Sequence, residues 1–193
     1  MNRRGISYGA AAVLGLIATT ACGGASSKIN NNDFENRLLS NVWSCEISDG
    51  EISGLQTISF AGDGAFSERE SLRLHSSDNG FEVAVNFNIS ISGRWRIVGD
   101  SLAVCYDMTS VKVVTDSASF TLRPTDEGAD REALENVRGS MFSDLLTALE
   151  TMADARYRPL STKYNMLGKL SVVDDDTLLI QHNGQEIRLA KML

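Results

Sequence analysis

The chain has 193 residues, of which 42% are hydrophobic, 22% charged and only two proline, with a formal net charge of −7. An acidic body repels phosphate, and no basic stripe with interleaved aromatics offsets it, which sets nucleic acid aside as a partner. No low-complexity spacer or internal repeat divides the body, so these quantities point to one domain, long enough to bury a sizeable core.

At the start, Arg3 and Arg4 precede an almost wholly apolar run from Ala10 to Ala18 that closes on Thr19, Thr20 and Ala21. That is the layout of an export signal. A permanent bilayer-spanning helix needs about 20 consecutive apolar residues, and this run breaks at Gly15 and ends by Thr19. Cys22, directly after Ala21, gives the segment its resemblance to the lipobox of bacterial lipoproteins. The resemblance implies a signal peptide over residues 1–21, acylation of Cys22, and attachment to a membrane of a Gram-negative cell envelope, the outer membrane being the expected one. Loss of Arg3 and Arg4 would take the formal charge from −7 to −9. Gly23 to Ser27 and Asn30 to Asn32 read as a flexible tether over 22–37. The alternative is an ordinary secreted protein.

Strands follow. The run 41–48 alternates Trp43, Cys45 and Ile47 toward a core. Runs 55–60 and 65–75 flank the turn AGDGA, and SSDNG leads into FEVAVNFNISISGRWRI. In that stretch Phe81, Val83, Val85, Phe87, Ile89, Ile91, Trp95 and Ile97 share one phase, and Glu82, Asn86, Asn88, Ser90, Arg94 and Arg96 the other. Period two describes antiparallel strand with one buried and one wet face. Ser92 and Gly93 predict a bend or break between strands 81–91 and 94–98. Runs 102–108 and 111–122 come next. Between 130 and 154, Leu134, Val137, Met141, Leu145, Ala148, Leu149 and Met152 recur at helical steps, predicting an amphipathic helix against the barrel wall or across one mouth. Strands 160–173, 177–181 and 186–191 complete the pattern, joined by turns carrying Asp, Asn and Gly. The expected fold is mainly β, an antiparallel up-and-down barrel of about eight to ten strands with one inserted helix, over residues 38–193.

Trp43, the hairpin Phe60, Gly64 and Phe66, and the run Gly93, Trp95, Gly99, Asp100 and Leu102 give the chain its resemblance to lipocalin-like domains of small envelope lipoproteins. The resemblance covers about residues 38–122 and implies a closed barrel that carries apolar cargo. Trp43, Phe66, Phe81, Val85, Phe87 and Trp95 share apolar phases and would line the interior, which eight strands leave either filled or just large enough for one small ligand.

Catalytic chemistry is sparse. His75 lies on the polar phase of its strand and His182 beside a turn, with no metal-ligand spacing between them, so neither a metal nor a cofactor is expected. Asp174 to Asp176 read as a solvated turn rather than a calcium loop. Glu68 and Glu70 share one strand face, which a general acid and base would require, but they read as two charges on a wet surface. Arg94 and Arg96 read the same way. In an oxidising compartment Cys45 and Cys105 could pair, yet Cys105 is out of phase with Leu102, Val104 and Tyr106, so a disulfide and two free thiols both stay open. The leading expectation is a non-catalytic, lipid-anchored protein whose barrel binds a small apolar ligand. The second is a protein–protein interaction module such as a protease inhibitor or accessory subunit.

Overall fold

Alternation in the central strand decides the architecture. Every residue of the apolar phase from Val85 to Trp95 other than glycine is buried, while Asn86, Asn88, Arg94 and Arg96 face water. The computed structural model describes residues 31–78, 80–125 and 131–192. The expected signal peptide, Cys22 and residues 22–30 of the expected tether lie outside the described residues. In chain order the elements are α1 (Asn31–Leu39), β1 (Val42–Asp49), β2 (Ile52–Phe60), β3 (Ala65–Asp78), β4 (Phe81–Val98), β5 (Ser101–Pro124), α2 (Arg131–Tyr157), a 3-10 turn (Arg158–Leu160), β6 (Asn165–Asp174), β7 (Thr177–His182) and β8 (Gln185–Lys191). The strands form one closed antiparallel barrel in the order β1 to β8, the up-and-down connection that the evenly spaced turns predict. At the β7–β8 turn Asn183 and Gly184 both take positive φ, 50° and 79°, as a two-residue hairpin of matching twist requires.

The strands number eight, within the expected eight to ten, because neither expected break, at Ser92–Gly93 or at 109–110, ends a strand. The bend at Ser92 and Gly93 leaves β4 continuous. Gly93 is needed for another reason: a Cβ there would overlap the Cys105 carbonyl oxygen and stand 2.6 Å from the Phe66 ring. On β5, residues 108–111 stand opposite Ile91 alone, and residues 117–120 opposite Val85 alone. The two bulges share a sequence, Asp107-Met-Thr-Ser110 and Asp116-Ser-Ala-Ser119. In each, the aspartate carboxylate accepts the N–H two residues on, from Thr109 at 2.9 Å and from Ala118 at 3.0 Å. The serine hydroxyl donates back to the aspartate carbonyl at 2.7 and 2.6 Å. Each serine oxygen then accepts the β4 N–H that the bulge strands, from Ser92 at 2.9 Å and Asn86 at 2.8 Å. At each bulge three extra residues therefore enter β5 without orphaning the facing donor of β4.

The barrel closes at one end only by strands. β6 pairs with β5 over Ser101–Val104, and β8 pairs with β1 over Trp43 and Ser44. Beyond these short ladders the long sheet β1 to β5 is completed by α2, whose Leu145, Leu149, Ala153 and Tyr157 join the core. Its Phe142 ring meets Phe120 of the second bulge at 5.1 Å, and Arg138 donates to the Phe120 carbonyl at 2.9 Å. The helix runs to Tyr157 rather than ending at 154, and Val137, expected on the apolar face, is exposed. The strand expected from residue 160 begins at Asn165, after the 3-10 turn. Residues 31–37 of the expected tether are helical: Phe34 and Leu38 of α1 are buried in the same core, which secures that segment despite its asparagines.

Candidate functional site

A polar cluster sits inside this core. On β3 the inward phase runs Phe66, Glu68, Glu70, Leu72, Leu74, so Glu68 and Glu70 are 2% and 1% exposed. They are not the wet-face charges that composition suggested. Glu68 shares a rung with Ile58 and Trp43, and Glu70 with Gln56 and Cys45. The opposite wall supplies their partners. Tyr106 of β5 donates to Glu68 Oε2 at 2.8 Å, and Tyr157 of α2 donates to Glu68 Oε1 at 2.9 Å. Arg156 donates to Glu70 Oε2 at 2.9 Å. Its second terminal nitrogen is 2.6 Å from Glu70 Oε1, off the hydrogen-bond direction, and 4.0 Å from Glu68. The last turn of α2 thus delivers a cation and a phenol to two carboxylates that would otherwise be buried unpaired.

Burial pushes the Glu70 carboxyl up from 4.5 to about 7, with Arg156 pulling it down and Glu68 pushing it further up. Desolvation outweighs the Arg156 contact. Burial, followed by the Glu68 charge, also raises both tyrosine hydroxyls far above their ordinary range, so they act only as donors. For Arg156, burial works against the charge but the facing carboxylates more than offset it. The Cys45 thiol, donating to Gln56 Oε1 at 3.0 Å, is pushed up to about 12 by burial and then by Glu68 and Glu70. A thiol held protonated is a poor nucleophile at neutral pH. Within the cluster the carboxylates are engaged by donors and the thiol is not activated. Two buried polar atoms are exceptions, with no hydrogen-bond partner among the described residues: the Trp43 indole N–H and Glu70 Oε1, the latter held by the Arg156 charge alone.

Of the six residues expected to line a ligand cavity, Trp43, Phe66, Val85, Phe87 and Trp95 are buried and Phe81 is half-buried. The five buried ones belong to one hydrophobic core, and Phe81 lies outside it. Trp95 meets Phe60 at 5.1 Å, Phe60 meets Phe66 at 6.3 Å, Phe66 meets Tyr106 at 5.1 Å, and Tyr106 meets Tyr157 at 5.0 Å. That line of rings crosses from β4 to α2. No family model and no curated protein matches this chain.

Other residues singled out by sequence lie apart from the cluster. Cys45 and Cys105 are free, with Cys105 donating outward to the Ser161 carbonyl at 3.3 Å; the disulfide left open by sequence is not formed. His75 projects from the outer face of β3 and bonds Glu82 at 2.6 Å, on the opposite side of the strand from Glu68 and Glu70. His182 is half-buried at the end of β7. Asp174 to Asp176 form the β6–β7 turn, tied to Arg37 through Asp175 and to Lys191 through Asp176. Arg94 is exposed, and Arg96 stacks over Tyr164 at 4.0 Å.

Proposed function

We propose that the chain is a non-catalytic, lipid-anchored protein of the bacterial cell envelope whose lipocalin-like barrel is a solid scaffold that binds on its outside, an interaction module of the kind an inhibitor or accessory subunit provides. The observation that carries this reading is the line of ring contacts from Trp95 to Tyr157. A guest on the barrel axis would have to displace close-packed aromatic side chains and the Glu68 hydrogen bonds beneath them, which interiors of crystal-like density resist. Anchoring through an acylated Cys22 rests on the apolar run and the small residues before it. Three acyl chains would hold the protein firmly, at about 0.8 kcal/mol for each buried methylene.

Native mass spectrometry of the intact chain in detergent tests the reading: the expected mass carries lipid at Cys22 and no second molecule. Because α2 is part of the core, its deletion would unfold the barrel, so photo-crosslinking residues at exposed Val114 and Val137 are the suitable probes for a protein partner. A mass with an additional bound small molecule, together with no crosslinked protein in the envelope, would overturn the proposal. A second reading keeps the small apolar ligand but moves it. Between β5 and α2 lies a notch of about 210 Å³ floored by Met108, Val111 and Val113, with Glu150 and Asp154 on the helix side. A co-purifying apolar molecule lost on Val113→Phe would assign it there.

A further inference from the structure

We infer that the outer face of β3, β4 and β5 carries an anion-binding basin, built on the second bulge of β5, that takes a small phosphate-bearing compound. The basin has a volume of about 240 Å³, and Arg73, His75, Glu82, Asn86, Ser119 and Arg123 contribute polar groups to it. It lies on the wall of the barrel, away from the interior cluster, and nothing in the proposed function uses it.

Three observations support an anionic guest. First, the charge is locally inverted. In a chain of net charge −7 the basin sets two guanidinium groups and an imidazole against one carboxylate, Glu82, which His75 holds at 2.6 Å. That contact, with Arg123 and Arg73 nearby, holds the Glu82 carboxyl below its ordinary value. Secondly, the guanidinium groups are uncommitted. Arg73 and Arg123 make no hydrogen bond or close ion pair among the described residues, whereas Arg37, Arg138, Arg156 and Arg158 all do. Planar donor forks of this kind match the oxygens of a phosphate or carboxylate.

Thirdly, the concavity is built rather than incidental. Four residues opposite Val85 swing the β5 backbone aside, and buried Ala84 and Val85 form the floor. The related bulge at Asp107–Ser110 has the same backbone bonds, with Arg69 and Lys112 in register with its flanking Ser90 in place of the Arg73, His75 and Arg123 set. A bulge that re-aims side chains beside a pocket is a recurring way of making a site on a sheet. The basin also sits toward the β1–β2 turn, since the His75 N–H donates to the Glu51 carbonyl at 2.8 Å. The opposite end of β1, where it follows α1, is a strand length away, about 25 Å at 3.3 Å per residue. That placement favours a dissolved phosphate compound over the headgroup of the membrane holding the protein.

The test titrates the intact chain with inorganic phosphate, following amide resonances and heat, and separately measures partition to phosphatidylglycerol vesicles against phosphatidylcholine vesicles. Arg73→Ala, Arg123→Ala and the pair carry the same N-terminus as the wild type, so any anchor contributes equally. Phosphate should move resonances of β3, β4 and the second bulge, each single variant should weaken binding about tenfold, and the pair should abolish it. A preference for phosphatidylglycerol that vanishes in the pair, with no response to inorganic phosphate, assigns the same basin to a lipid headgroup and overturns the dissolved ligand. No response in either arm, or binding that Arg73→Ala and Arg123→Ala leave unchanged while the variants remain folded, overturns the site itself.

Discussion

Glu70 should make this protein more stable in mild acid than in mild base. Its carboxyl is raised from 4.5 in an unfolded chain to about 7 in the folded one, so the folded state holds the proton more tightly. For a raised group the stabilising contribution is complete below the unfolded value and is lost as pH climbs through the folded value. At about 1.4 kcal/mol per pH unit the whole window is worth about 3 kcal/mol, of which about 2.5 falls between pH 5 and pH 8. For a domain of this size that corresponds to a fall of about 5–10 °C in Tm. Carboxylates held low by hydrogen bonds, Asp100 by Lys169, Asp107 by Thr109 and Asp154 by Arg158, release their stability only below pH 4, outside this window. Glu70→Gln keeps an acceptor for Arg156 and removes the titration. Urea denaturation of wild type and variant at half-unit steps from pH 5 to 8 should therefore show a falling wild-type curve and a flatter variant. A wild type that gains stability across this range, or a variant with the wild-type slope, would refute the argument that burial outweighs the Arg156 contact.

Three further outcomes follow from the same geometry. Glu68→Ala leaves two buried tyrosine hydroxyls without their acceptor and Arg156 with one carboxylate fewer, and should cost about 3–5 kcal/mol by urea denaturation; a loss under 1 kcal/mol would show the cluster to be solvated. Gly93→Ala forces a methyl against the Cys105 carbonyl oxygen and the Phe66 ring and should cost about 3 kcal/mol or more, read by thermal melting; a neutral result would mean that β4 and β5 do not meet as described. Cys45, with its thiol at about 12, should react with iodoacetamide at pH 8 about a thousandfold more slowly than a cysteine in an unfolded peptide, followed by mass spectrometry of the folded chain; a peptide-like rate would place it outside the core.

Much of the fold is legible in period two, because an antiparallel sheet with one wet face must alternate and a helix cannot. The β4 phase from Val83 to Ile97, Gly93 aside, corresponds to the residues in or against the core, and the turns at Gly99, Asn183 and Gly184 fall where the sequence places them. The count falls at the low end of eight to ten because Ser92–Gly93 does not break β4 and the gap expected at 109–110 is a bulge within β5. A bulge looks like a turn in sequence, since Asp and Ser supply the same local hydrogen bonds in both; only the repeated D-x-x-S spacing at 107 and 116 separates the two. α1 is hidden differently: three asparagines and an acidic first turn resemble a leash, and its two anchors, Phe34 and Leu38, are too few to show as a stripe.

The buried cluster is hidden in the sequence for a more general reason. Charge suggests exposure at Glu68 and Glu70, although Phe66, Leu72 and Leu74 stand in phase with both and Ser67, Arg69, Ser71 and Arg73 occupy the opposite phase. Where phase and polarity disagree, register is the stiffer constraint, because shifting β3 by one residue would expose Phe66, Leu72 and Leu74 together. The disagreement is itself a signal that partners exist elsewhere. It predicts that the other wall must bring a cation and hydrogen-bond donors, and α2 does so by ending in Arg156 and Tyr157 at the level of Glu70 and Glu68. The inserted helix is therefore fixed in register along its axis by chemistry as well as by packing, since sliding it by one turn would separate Arg156 from both carboxylates.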